Sequence, residues 1–328
     1  MAYPEDLSRL FQIDVCKTVL AIGLFFRHVP LAFGAKIGYP EFATSVLTPY
    51  SFFLPVTGGF ISILAFTLAY KKKIRTKKDI RTANRGRYLR HTLVLFLISL
   101  AGALYTFFTR QSGGLTEFIT YFFTFGAGPF HKPGIIILLP ISVLYGIFFL
   151  CYPASLRRHV IINILCLLLC LFFRRIFIMR YIAISCIFSC LGFFIIKTHI
   201  EYISRFYFLP VYLLLYGLFF YFPSHSDVSI GVETLMILVF SLMCFAAADA
   251  VKKLIYLKKF VIFSGRNLLY LYLTHILILN IAKKFIRIDT MPHMYTAIPV
   301  FMLITYSTVY ITVKFLKFFT ANSETAHL

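Results

Sequence analysis

The chain contains no tryptophan, and its 12 acidic residues face 33 lysines and arginines. Without tryptophan, aromatic anchoring at a membrane boundary falls to its 21 tyrosines and 39 phenylalanines, which are ordinary anchors there. The opening stretch, MAYPEDLSRLFQ, lacks the basic region and small-residue cleavage site of a signal peptide. The first helix is therefore expected to insert uncleaved. None of the seven cysteines (16, 151, 166, 170, 186, 190 and 244) stands near partners that would complete a metal site. They fall in or beside apolar runs and read as small buried hydrophobes. No internal repeat joins the two halves, because the polar signature of the first apolar run does not recur in the sixth. That absence weighs against transporters built from inverted repeats.

What the chain does have is apolar length. Of its 328 residues 60% are hydrophobic, and the mean hydropathy is +0.84. A soluble domain is nearer half apolar, so the expected class is an all-α polytopic membrane protein. The net charge of +21 would point to nucleic acid in a soluble protein. Here the basic residues sit in short loops between apolar runs, where topology signals lie, and no nucleic-acid partner is expected.

A span needs about 20 mostly apolar residues, and ten such segments can be read. They lie near 13–34, 48–70, 92–109, 134–152, 160–173, 176–196, 206–222, 229–251, 260–282 and 294–316. They use nearly all of the chain, so residues 1–328 read as one integral-membrane domain. The segment Lys71–His91 carries ten basic residues and one acid, which by the positive-inside rule makes it cytoplasmic. Both termini are then cytoplasmic as well. Arg157-Arg158, Lys197, Arg205, Lys252-Lys253, Lys258-Lys259, Lys314 and Lys317 agree; Arg174-Arg175 and Lys283-Lys284-Arg287 dissent.

The first apolar run, Ile13–Val29, carries Asp14 and Lys17 at its start and Arg27 and His28 at its end. Lys17 and His28 are eleven residues apart. At about 100° and ~1.5 Å per residue they share a helix face and lie ~16 Å apart along it. Ionisable residues on one face of a membrane helix are functional candidates by default, although Lys17 and Arg27 can also snorkel to the two interfaces. Asp14, three residues before Lys17, can pair with it and orient it. The orientation is expected to put Lys17 near the cytoplasmic face and His28 near the outer face, with a second membrane histidine, His275 in NLLYLYLTHILILN, in the outer half of the ninth span at a similar depth.

Four ordered motifs carry a resemblance. Lys17, ten residues and His28 follow Ile13-Asp14; FFLPVTGGF spans Phe52, Phe53, Thr57, Gly58, Gly59 and Phe60. RGRYLRH holds Arg85, Arg87 and Arg90, and a Tyr-x-Tyr-Leu-x-His run ends Asn267–His275. Together they resemble the membrane-bound acyltransferase family 3, ten-helix proteins of the bacterial inner membrane. That family moves acyl groups, commonly acetyl, onto extracytoplasmic carbohydrates. The chain departs from the family where its Trp-Phe-Leu is replaced by something like Pro129-Phe130-His131-Lys132, where serine is Thr57, and where a proline after the arginines is missing. No appended hydrolase-like domain is expected, so any activity is expected from the membrane domain alone.

The resemblance implies acyl-CoA, most simply acetyl-CoA, as co-substrate and a glycan or its lipid-linked precursor as acceptor. No metal is implied. Acyl transfer to a hydroxyl requires a base, donors for the oxyanion and a positioned thioester. His28 is the candidate base, with a covalent acyl-histidine left open. His275 is the candidate to hold the acceptor or to stabilise the oxyanion. Lys17, Arg85, Arg87 and Arg90 are candidates for the coenzyme phosphates, since lysine and arginine recognise phosphate as point charge and fork. The ~16 Å along the helix is comparable with an extended pantetheine arm. Glu117, His131, Lys132, His225, Asp227 and Glu233 could meet a sugar outside, and Arg180 is left unassigned. The alternatives are a ten-span transporter of a metabolite or lipid-linked sugar, and a non-catalytic membrane partner.

Overall fold

The computed structural model of the protein describes residues 11–33, 56–74, 81–110, 138–150, 156–172, 177–194, 208–221 and 227–325, with Thr116. Among these residues there are eleven α-helices and no strand. They are α1 (Phe11–Phe33), α2 (Val56–Ile74), α3 (Arg81–Arg110), α4 (Leu138–Leu150), α5 (Leu156–Phe172) and α6 (Phe177–Phe194). The remainder are α7 (Leu209–Tyr221), α8 (Asp227–Lys253), α9 (Ile255–Arg266), α10 (Leu268–Phe285) and α11 (Met291–Thr325).

Every apolar segment expected from the sequence overlaps a helix. Two differences are informative. Helix α3 starts at Arg81, well inside the basic segment read as a loop. Arginine and leucine are good helix formers, so the helix outlasts its apolar part. The expected segment 260–282 is broken at Asn267 into α9 and α10.

Among the described residues three stretches are long and apolar enough to cross a membrane: Gly231–Lys253 in α8, Leu268–Phe285 (all of α10) and Pro292–Phe315 in α11. The chain is a membrane protein on that evidence. Its outward faces agree. Leu93 and Leu97 of α3, Leu165 and Leu168 of α5, and Leu303 and Ile311 of α11 are all exposed. Stripes of this kind would be a liability in water but are the normal surface toward lipid. In lipid the backbone polar groups must be satisfied within the chain, which accounts for helix being the regular element among the described residues.

The helices fall into two compact units. One holds α2–α8 up to Asp249. Within it α3 and α4 run antiparallel: Tyr88 meets Phe148, His91 meets Tyr145, and Ser142 Oγ donates to the Thr92 carbonyl at 2.8 Å. Helices α2, α6 and α8 run in a common direction. At one end Gly58 of α2 adjoins Tyr181 of α6 and Ile237 of α8. Further along, Phe66 of α2 adjoins Gly192 of α6 and Phe245 of α8. A β-carbon on Gly192 would fall 2.6 Å from the Phe66 carbonyl oxygen, so the two backbones meet with no room for a side chain. Between lipid-solvated helices the hydrophobic effect drives little, and such close approach supplies the packing attraction instead.

The second unit comprises α1 from Asp14 onward with α9, α10 and α11. The Thr18 hydroxyl is shared between the Asp14 carbonyl (2.8 Å) and the Val261 carbonyl (3.3 Å), tying α1 to α9. Ser264 Oγ and Tyr306 Oη lie 2.8 Å apart and tie α9 to α11. Phe33 of α1 stacks on Phe301 of α11. Asn267 serves both sides of the helix break. Its Nδ2 donates to the Phe263 carbonyl at 2.8 Å and its backbone N–H also turns to the end of α9, while its carbonyl accepts from Leu271 N–H of α10 at 2.9 Å.

Candidate functional site

The second unit brings His28 and His275 together. His28 lies near the end of α1 and is partly buried; His275 lies near the middle of α10 and is fully buried. His28 Nδ1 and His275 Nε2 are 2.7 Å apart, short for a hydrogen bond between nitrogens. The ring planes differ by only 14° and the centroids are 5.0 Å apart. That separation is what the nitrogen–nitrogen distance leaves once each ring's own radius is added. The imidazoles therefore lie edge to edge in nearly one plane and are joined by an in-plane bond.

The protons on this chain can be assigned from its far end. His275 Nδ1 is 3.2 Å from the carbonyl oxygen of Leu271, one turn earlier in α10. A carbonyl only accepts, so Nδ1 carries the proton and donates it. In a neutral ring His275 Nε2 is then the acceptor, and His28 Nδ1–H donates to it. The remaining nitrogen, His28 Nε2, keeps its lone pair free of that chain. A histidine held at Nδ1–H by an acceptor, with Nε2 left out of that bond, has the proton order of a general base. Phe25 and Tyr272 close round His275 with rings edge-on at 5.5 and 5.4 Å, fixing its plane.

The foot of the same helix is built tightly. Asp14 is buried, and Lys17 is partly buried one turn further along α1. A β-carbon on Gly265 would fall 2.5 Å from Asp14 Oδ1 and 2.9 Å from Asp14 Cγ, so the carboxyl rests against bare backbone of α9. The Thr18 hydroxyl described above bonds next to it.

Arg90 is exposed on α3, in the first unit. Arg85 and Arg87 belong to the same helix, but their side chains lie outside the described residues, as do Phe52, Phe53, Glu117, His131, Lys132, His225 and the side chains of Arg180 and Asp227. Glu233 of α8 is partly buried, with Oε1 3.6 Å from the β-carbon position of Gly58. The Leu271 carbonyl, Phe25, Tyr272, Thr18 and Gly265 were not singled out from the sequence. Only Tyr272 and Leu271 carried a signal there, as members of the motif that ends at His275. Among the described residues no group of three or more His, Cys, Asp or Glu side chains is gathered for a metal ion.

Fold and site thus describe a membrane protein, helical in its described residues, with a hydrogen-bonded histidine pair between two of its helices. Compared with protein-family models, curated proteins and solved structures, the chain matches none.

Proposed function

We propose that the protein is an integral-membrane O-acyltransferase that moves an acyl group, most simply acetyl, from cytoplasmic acyl-CoA to a hydroxyl of an extracytoplasmic or lipid-linked carbohydrate. The observation that carries this reading is the proton order along Leu271, His275 and His28, which leaves His28 Nε2 as the open base. In this reading Nε2 takes the proton of the acceptor hydroxyl as its oxygen attacks the thioester carbonyl carbon. The tetrahedral intermediate collapses with cleavage of the carbon–sulfur bond, and the proton passes from Nε2 to the departing thiolate. While His28 is an imidazolium, its Nδ1–H stays bonded to His275 Nε2, which spreads the charge over both rings. His275 therefore acts through His28, as a positioning residue, and both of its nitrogens are engaged in doing so.

Lys17, on the face of His28 but ~16 Å away along α1, is in reach of the coenzyme's phosphates when the thioester lies at His28. Asp14 fixes the foot of that helix against α9. The four ordered motifs resembling acyltransferase family 3 support the same assignment. So do the helix directions, since α2, α6 and α8 run together and α3 opposes α4, as alternating spans of a ten-span chain with both ends inside would require. The bacterial inner membrane follows from the family resemblance.

The test compares surface glycans from cells with wild type, His28→Ala and Lys17→Ala at matched membrane levels. A mass increment of one acyl group in wild type only is the expected result. Identical glycan masses in all three would overturn the glycan acceptor and favour a transport role, to be followed by solute uptake.

A further inference from the structure

Helix α9 cannot be a span and is poorly suited to water. At 12 residues it is about 18 Å long, against a hydrocarbon core of about 30 Å. It joins two stretches that can cross: the apolar part of α8 ends at Lys253, and α10 begins at Leu268. If both cross, each end of α9 lies at a membrane boundary. All residues from Lys252 to Lys259 are exposed, and the sequence there is two lysines, Leu254-Ile255-Tyr256-Leu257, and two more lysines. Tyr256 is 84% exposed and Ile255 62%.

Four adjacent apolar side chains are unfavourable in water, and the lysines are unfavourable in hydrocarbon. One place satisfies both, the interface, where apolar side chains enter the acyl boundary and ammonium groups meet headgroups. The second half of α9 is already committed to protein through Val261, Ser264 and Gly265, which are buried. Only the first half is left for lipid. No acidic residue occurs between Asp249 and Asp289, so the segment's charge is of one sign.

We propose that α9 lies along the membrane surface and that Lys253, Lys258 and Lys259 hold the headgroups of anionic lipids, with Tyr256 and Leu257, turned away from Lys258 and Lys259 on the helix, set at the acyl boundary beneath them. This surface is independent of the transferase assignment and rests on length, exposure and charge alone.

The absence of tryptophan makes a direct test possible. Tyr256→Trp gives a single tryptophan, excited to the red of the tyrosines, at the centre of the segment. The full-length protein is reconstituted in vesicles of phosphatidylcholine and phosphatidylglycerol, with bromines placed on one lipid or the other. Quenching should show about a five-fold preference for phosphatidylglycerol, the ratio that about 1 kcal/mol per surface lysine corresponds to. The preference should weaken as salt is raised, and should vanish when the three lysines are changed to glutamine. Equal quenching by the two lipids overturns the proposal, as does a preference indifferent to salt in the lysine-intact protein. Quenching by an aqueous quencher but by neither lipid overturns it too, because α9 would then stand in water.

Discussion

His275 Nε2 accepts, across 2.7 Å, the proton that His28 Nδ1 offers, and the partner residue is 247 positions away in the chain. The bond fixes which nitrogen of His28 is left open. In the proposed reaction His28→Ala should lower acyl transfer by about 10²–10⁴-fold, the range of a lost general base. His275→Leu should lower the turnover rate with little change in the KM for acyl-CoA. His275→Asn, which keeps an acceptor oxygen, should retain more activity than His275→Leu. Transfer from radiolabelled acetyl-CoA in membranes of matched protein content measures all three.

The Asp14 carboxyl occupies the space that a side chain on residue 265 would need. Gly265→Ala should destabilise the protein by about 1–3 kcal/mol, as overpacking does. Asp14→Ala removes the closest of the clashing atoms, so Gly265→Ala should cost less in that background. A thermal-melting double-mutant cycle in detergent reads the coupling, and strict additivity would mean that the two groups do not press on one another.

Gly192 and Gly58 should differ under the same substitution. At Gly192 the new methyl meets the Phe66 backbone, which cannot move alone; at Gly58 it meets Ile237 Cδ1, the flexible end of a side chain, at 2.6 Å. Gly192→Ala is expected to lower the melting temperature clearly and Gly58→Ala little. The reverse order would contradict the helix contact between α2 and α6.

Ser264 and Tyr306 should be coupled by about 0.6 kcal/mol, the usual worth of a hydrogen bond between membrane helices. Ser264→Ala, Tyr306→Phe and the pair together, compared by equilibrium unfolding, give the value. Zero coupling would show the α9–α11 bond to be energetically idle.

Hydropathy located the helices because lipid forces every apolar run of sufficient length into one backbone form. It did not mark where α3 begins, since Arg81–Arg90 is helical for reasons of propensity and carries no apolar signal. It also ran through Asn267. The cue was present in Ser264-Gly265-Arg266-Asn267, a glycine and asparagine at a helix end, but the apolar residues on both sides outweighed it. The spacing of Lys17 and His28 made His28 conspicuous, and His275 was expected at a similar depth. That the two rings bond directly was not legible, because it depends on how α1 meets α10, and no local pattern encodes that. The same holds for Gly265, whose role exists only once Asp14 is laid across it.

Helix α10 also acts as a depth gauge. Its 18 residues make about 27 Å, nearly the full hydrocarbon thickness, so it has little slack for tilt. His275 is the eighth of them, roughly 10 Å from one end and 15 Å from the other. Bulk water is scarce at that level. In the proposed reaction water is the competing nucleophile, able to hydrolyse the thioester with no help from an acceptor. Setting the base at this depth would select against that waste by starving it of reactant.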